Sequence, residues 1–238
     1  MIGCMIIHGF TGGPYEIEPL ASYLRENTNF IIEVPTLPGH GKKLALNDVS
    51  HEDWLQTAED AFLQLNKKAD QIYLIGFSMG GMIASYLAAK YKVNKLVLLA
   101  TAGKYLSFKQ IGLDVGSILK DRVTGKLDDN KLFQHYKTKR GEVPLKANIE
   151  FMKLVKKTRK YLGEIENPVL IVQGQMDGMV PYQTAYYLDE EIPSEYKEVV
   201  LFNQSKHLIC LGHDKDVLNS MVHKFLSERP LKHTMKET

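Results

Sequence analysis

The sequence predicts an α/β fold: a mostly parallel sheet of about six strands, helices on both faces, and an inserted helical cap. Three observations predict it. Short, almost wholly apolar runs alternate with stretches of helical period, and continuous apolar strands are what a sheet covered on both faces requires. The run Ile72–Ala84 passes from apolar residues through Gly76-Phe77-Ser78-Met79-Gly80 into a small-residue stretch, the pattern of a buried strand, a sharp turn and a helix. The alternation stops over Lys104–Lys160, where helical patterning holds without a comparable strand, and then resumes. Residues 1–103 and 161–238 therefore read as the core, and 104–160 as the cap.

Taken in order, Met1–His8 reads as a strand followed by the turn-rich loop His8-Gly9-Phe10-Thr11-Gly12-Gly13-Pro14. Ile17, Leu20, Ala21 and Leu24 recur at helical spacing. Phe30–Val34 is a second strand, and Pro35–Gly41 a loop. Trp54, Leu55, Ala58, Ala61, Phe62 and Leu65 give the inner face of a helix over about His51–Lys67. Gln71–Ile75 and Lys95–Ala100 are strands around a helix over Gly80–Tyr91. After the cap come a strand at Pro168–Gln173, a helix from about Tyr182, a strand at Lys197–Phe202 and a helix over Asp214–Leu226. The polar tail Arg229–Thr238 reads as frayed.

At 238 residues, 44% hydrophobic and 24% charged, the chain can bury a sizeable single core. A net charge of +2 makes no global case for a polyanionic partner, and no nucleic-acid motif appears. Cys4 and Cys210 lie in apolar contexts, which reads as buried thiols in a reducing compartment. No apolar run approaches the ~20 residues of a membrane span. The apolar start has no basic region before it and no cleavage site, so the expected location is the cytoplasm.

The chemistry is carried by three positions. A serine hydroxyl is a weak nucleophile at neutral pH and needs a base, and the base needs an orienting acid. Groups that meet a ligand on a parallel sheet lie past the carboxyl ends of the strands. Ser78 stands at the apex of the Gly-x-Ser-x-Gly turn. Asp177 follows the strand at Pro168–Gln173, and His207 follows the strand at Lys197–Phe202. Asp177 is also the type of residue that steadies a turn, and the lesser alternative for His207 is a core or helix-entry histidine. His8, His40, His51 and His213 are rival bases: His8 suits shaping the Gly9-Phe10 turn, and His213 suits the surface. An oxyanion hole would use the backbone N–H of Met79, after the nucleophile, and that of Phe10, in the loop after the first strand. Gly9, Phe10 and Met179 are the expected substrate-contacting residues.

With His8-Gly9-Phe10-Thr11-Gly12, Pro38-Gly39-His40-Gly41, Gly76-Phe77-Ser78-Met79-Gly80-Gly81, the Asp177 loop and Ser205-Lys206-His207, the chain resembles the α/β-hydrolase superfamily. Within it, the chain is similar to the bacterial carboxylesterase and monoacylglycerol-lipase-like group, which overlaps the set called serine aminopeptidase-like. The resemblance covers nearly everything but the cap. It implies a Ser78–His207–Asp177 triad with Phe10 and Met79 at the oxyanion hole, and hydrolysis of short- to medium-chain acyl esters or monoacylglycerols. The loop His-Gly-Phe-Thr differs from the His-Gly-Gly-Gly type, which argues against esters of bulky tertiary alcohols. The first strand here corresponds to the family's third. The same machinery serves amidases, peptidases, thioesterases and acyltransferases, and a binding protein could keep the fold without turnover.

The cap holds 15 Lys and Arg against 6 Asp and Glu, including Lys153, Lys156, Lys157, Arg159 and Lys160. Such runs usually coat a solvated helix face, and the sharper reading is weak contact with a membrane surface or an acidic substrate. Ile111, Val115, Ile118, Leu119, Phe151, Met152 and Val155 would supply an apolar underside over the site. No metal-ligand spacing is present, so neither metal nor cofactor is expected. Oligomeric state is not legible.

Overall fold

The computed structural model describes residues 1–104, 143–229 and 232–237. Among these, seven strands form one parallel sheet: β1 (Ile2–Ile7), β2 (Ile31–Glu33), β3 (Gln71–Phe77), β4 (Lys95–Leu99), β5 (Val169–Gly174), β6 (Lys197–Phe202) and β7 (Thr234–Glu237). Their order is β2-β1-β3-β4-β5-β6-β7. The helices are α1 (Glu18–Asn27), α2 (His51–Asn66), α3 (Met79–Lys90), α4 (Leu145–Thr158), α5 (Gln183–Glu191) and α6 (Lys215–Ser227). The chain runs outward from β1 to β2, crosses back to β3, and then proceeds in one direction. The sheet therefore switches between β1 and β3, and the crevice at their carboxyl ends is where such folds place a ligand.

The strands are apolar without interruption because both faces are covered, yet their residues still alternate between two cores. Met5, Ile7, Leu74, Leu96, Leu98, Ile171 and Val199 face α2, α3, α4 and α5. Cys4, Ile6, Ile75, Phe77, Val97, Leu99, Val172 and Val200 face α1 and α6. α3 is buried from Met79 to Ala88, which accounts for its apolar composition on every side. α2 begins with a capping box, in which Ser50 Oγ accepts the Asp53 N–H and the Asp53 carboxylate accepts the Ser50 N–H. Cys4 and Cys210 are buried free thiols whose pKa values burial pushes up to about 12.

The tail differs from its sequence reading. Thr234–Glu237 pairs in register with Glu198–Leu201 as the seventh strand. His233 secures the approach: its N–H donates to the Glu195 carbonyl at 3.2 Å, and its Nε2 lies 3.0 Å from Asp189. Thr-Met-Lys-Glu lacks the apolar signal of a strand because the open edge of β6 supplies the backbone partners.

The two ends expected for the cap, Lys104 and Lys160, are described, but most of its interior, with Ile111, Val115, Ile118 and Leu119, lies outside the described residues. The described part, α4, lies against α2 and α3 through buried Phe151, Leu154 and Val155, while Met152 is half-buried. Glu150 seats α4 on the N-terminus of α2, its Oε2 accepting the His51 N–H at 3.1 Å and lying 2.5 Å from His51 Nδ1. The Lys153 ammonium lowers the Glu150 pKa to about 2; burial opposes this and His51 adds to it. Lys157 pairs with Glu52 at 2.7 Å, and Arg159 Nε donates to the Gly103 carbonyl at 3.0 Å. Part of the basic run is thus committed to fastening α4 down. Among the described residues no helix is long and apolar enough to cross a membrane.

Lys95 is a buried cation on β4. Its Nζ donates to the carbonyls of Phe225, Leu226 and Glu228 at 2.8, 2.8 and 2.6 Å, and burial holds its pKa below the ordinary lysine value. These carbonyls have no intrahelical donor at the end of α6, and a cation there also opposes the helix dipole. Lys95→Met is expected to lower the unfolding free energy by about 2 kcal/mol, read from urea melts. An unchanged midpoint would show that water serves those carbonyls equally well.

Candidate active site

β3 ends at Phe77 and α3 begins at Met79, so one residue makes the whole turn. That residue, Ser78, has φ 53° and ψ −116°, a left-handed conformation that side chains rarely adopt. The turn is possible because α3 lies against the backbone of β1 and β3. A Cβ on Gly76 would fall 2.3 Å from the Gly80 carbonyl oxygen, and one on Gly80 would fall 2.2 Å from that of Ile7. The Ser78 N–H donates to the Leu99 carbonyl, and its own carbonyl accepts from Gly81 and Ala102. The surrounding structure therefore holds the strained residue from β4 and α3 together.

The loops after β5 and β6 carry the other two side chains. They approach closely because Gly174, at the end of β5, has no side chain: a Cβ there would meet the Ser205 carbonyl oxygen at 2.2 Å. That oxygen instead accepts the Met176 N–H at 3.1 Å. Asp177 Oδ1 accepts the N–H groups of Met179 and Val180 at 2.8 and 2.9 Å. Its Oδ2 accepts from Gln173 Nε2 at 2.8 Å and lies 2.7 Å from His207 Nδ1. With four contacts of this kind the carboxylate has one orientation. Since Asp177 can only accept, His207 carries its proton on Nδ1 and leaves Nε2 as the acceptor for the Ser78 hydroxyl, at 3.1 Å.

Burial disfavours a charged His207, but the charge and hydrogen bond of Asp177, with a further contribution from Glu16, outweigh it. The pKa of His207 therefore lies above its ordinary value of 6.5. The Phe77 ring lies 5.1 Å from the imidazole, centroid to centroid. The rival histidines are engaged elsewhere. His8 Nδ1 donates to the Gly9 carbonyl at 2.9 Å while its Nε2 accepts the Leu37 N–H at 3.1 Å. His40 lies in an aromatic cluster with Phe10 and Trp54, His51 meets Glu150, and exposed His213 meets Asp214.

The loop after β1 borders the same site: a Cβ on Gly9 would stand 3.3 Å from Ser78 Cβ. Among the described residues, neither the Phe10 nor the Met79 backbone N–H donates to a protein acceptor. The Phe10 ring stacks on Phe151 at 4.8 Å and tilts against Trp54 at 5.8 Å, so α4 contributes one wall beside the loop. Met179 differs from the other expected contacts: its N–H orients Asp177, and its side chain is half-exposed. Met176, more exposed still, stands on the same loop.

Two residues at the site went unread in the sequence. Gln173 is the penultimate residue of β5, and its amide donates to both Asp177 Oδ2 and the Val180 carbonyl. A glutamine inside an otherwise apolar strand, four residues before the aspartate, was the available signal. Glu16 has its carboxylate inside the loop after β1. Spacing alone offered no sign of it, since it looks like one more acidic residue near a helix start. Among the described residues no three His, Cys, Asp or Glu side chains gather as a metal-holding group.

Comparison with known proteins adds a family relationship. The Hydrolase_4 family model, described as serine aminopeptidase, S33, matches residues 3–216. A thermostable monoacylglycerol lipase of Bacillus sp. (strain H-257) is 26% identical over 223 residues, 91% of this chain and 87% of that protein. A carboxylesterase of Bacillus subtilis is 22% identical over 226 residues, covering 94% and 92%. A solved structure from the metagenome-derived lipolytic enzymes LipS and LipT superposes with a TM-score of 0.78 at 20% identity, covering 96% of this chain and 94% of that one. The Paleococcus ferrophilus monoacylglycerol lipase does so with a TM-score of 0.70 at 18% identity, covering 94% and 93%. At such identities these superpositions speak for the fold, which is that of the α/β-hydrolases.

Proposed function

The chain belongs to the serine aminopeptidase, S33 family and is an ester-hydrolysing enzyme; we propose that Ser78, His207 and Asp177 carry out that hydrolysis, on short- to medium-chain acyl esters or monoacylglycerols. One observation carries the reading: an unbroken line of hydrogen-bonding contacts from Ser78 Oγ through His207 to Asp177, at the carboxyl ends of β3, β6 and β5.

In this mechanism Ser78 Oγ attacks the ester carbonyl carbon as its proton passes to His207 Nε2. Asp177 holds Nδ1–H in place and stabilises the imidazolium that forms. The carbonyl oxygen becomes an oxyanion between the N–H groups of Phe10 and Met79, and the positive end of α3 adds to their effect. When the tetrahedral adduct collapses, the alcohol leaves with the proton from Nε2. Water, deprotonated by the same nitrogen, then attacks the acyl-Ser78 carbonyl and releases the acid. Strain at Ser78 keeps the hydroxyl raised at the start of α3 throughout.

The wall formed by Phe10, Trp54 and Phe151 supports an apolar acyl group, and the monoacylglycerol lipase and carboxylesterase among the relatives agree with it. The family description favours one further reading, cleavage of aminoacyl amides on the same three residues. A panel of p-nitrophenyl esters of increasing acyl length, run beside aminoacyl p-nitroanilides and a monoacylglycerol, separates them. The expected result is ester turnover highest at short to medium chains, with amide turnover lower by at least about a hundredfold, since the amine is the poorer leaving group. Faster turnover of the amides would replace the ester reading with the amide one.

A further inference from the structure

A buried acid stands behind the loop that follows β1. Glu16 is 2% exposed and ends the single turn ahead of α1. Its Oε2 accepts the Gly9 N–H at 3.3 Å. Its carboxylate lies so close to Gly12 that a Cβ there would be 1.7 Å from Oε2 and 2.0 Å from Cδ. Burying a carboxylate is costly, and an apolar side chain could fill the same volume without that cost.

The contact bears on the direction of one particular N–H. The Phe10 N–H and the Gly9 carbonyl belong to one planar peptide unit and point in opposite directions. His8 Nδ1 holds that carbonyl at 2.9 Å, and Glu16 holds the N–H on the other side of the Gly9 Cα. The far end of the loop is tied as well, since the Gly12 carbonyl accepts the Gly41 N–H at 2.9 Å. The negative charge of Glu16 also favours the protonated form of His207.

We propose that Glu16 is a positioning residue of the ester hydrolysis: by holding the Gly9 N–H from behind, it directs the Phe10 N–H at the forming oxyanion. The inference rests on the Ser78–His207–Asp177 reading and adds a fourth ionisable group to it. Among the described residues, the acids whose charge acts on His207 are Asp177 and Glu16. Tyr15 and Cys210 also feel Glu16, but burial first and that charge second push both up to about 12, so neither titrates along the acid limb of activity.

The experiment compares wild type with Glu16→Gln and Glu16→Ala on p-nitrophenyl butyrate, with rates divided by the sites titrated with a fluorophosphonate. Counting sites removes unfolded protein from the comparison. Glu16→Ala is expected to lose about 10- to 100-fold in kcat per site, with KM changed by less than about twofold, as for a misdirected oxyanion donor, whereas Glu16→Gln, whose amide oxygen can still accept the Gly9 N–H, is expected to keep most of that kcat. The acid limb of the pH profile is expected to move to lower pH in both. A purely structural Glu16 would lower the number of titratable sites and the thermal midpoint, leaving kcat per site and the limb in place. That outcome in Glu16→Ala overturns the proposal. Absence of label on wild type, or label retained by Ser78→Ala, fails the underlying triad reading instead and is distinguishable from it.

Discussion

Ser78→Ala is expected to remove ester turnover, lowering kcat by about a million-fold, and to abolish fluorophosphonate labelling. The thermal midpoint should hardly move. Alanine keeps the Cβ and the left-handed backbone of residue 78, whose N–H and carbonyl contacts to Leu99, Gly81 and Ala102 involve no hydroxyl. Only the hydroxyl proposed as nucleophile and its bond to His207 Nε2 are lost. Residual catalysis would come from the Phe10 and Met79 N–H groups acting on water attack alone. Hydrolysis of p-nitrophenyl butyrate at the wild-type rate by the folded variant would exclude Ser78 as the nucleophile.

Asp177→Asn should cost about ten-thousand-fold in kcat through the wrong imidazole tautomer. The surroundings dictate how the amide sits. Oδ1 receives two backbone N–H groups, from Met179 and Val180, so the asparagine oxygen takes that place. Its NH2 then faces His207 Nδ1 and the Gln173 amide, where donors already point inward. To accept from it, His207 must move its proton to Nε2, and Ser78 loses its base.

The pH dependence follows the same contacts. In the proposed mechanism turnover needs neutral His207, so a raised pKa places the acid limb of kcat/KM above pH 6.5, with activity rising as pH rises through it. Removing the Asp177 charge deletes the largest influence that raises this pKa and leaves burial, which lowers it. The residual activity of Asp177→Asn should therefore have its acid limb at lower pH than wild type. A limb in the same place in both proteins would mean that a different group titrates.

The fold was legible because its strands are apolar along their whole length, and only a sheet covered on both faces asks for that. Six strand segments could be read, with ends that shift by a residue or two; β3 runs on to Phe77 because the turn needs a single residue. β7 was not legible, since its pairing comes from the unsatisfied edge of β6 and from His233 rather than from its own four residues. Helix α4 was read as part of a cap because strand alternation stops there, and its basic run, continued by Arg159 and Lys160, was read as a solvated face. Several of those charges meet partners far along the chain, such as Glu52, or backbone such as the Gly103 carbonyl, which local patterning does not register.

For the candidate site, residue type and position past a strand end were enough to single out Ser78, Asp177 and His207, because a parallel sheet delivers every such loop to one edge. Strand order lies beyond that reading: adjacency of β5 and β6 is what puts Asp177 beside His207, and the switch between β1 and β3 is what puts Gly9 beside Ser78. Gln173 and Glu16 became visible only in three dimensions, as their meaning lies in the acceptor or donor each one faces and not in any spacing along the chain. Local pattern reflects the requirements of backbone and burial, whereas the direction of a hydrogen bond is set by whichever distant segment packs against it.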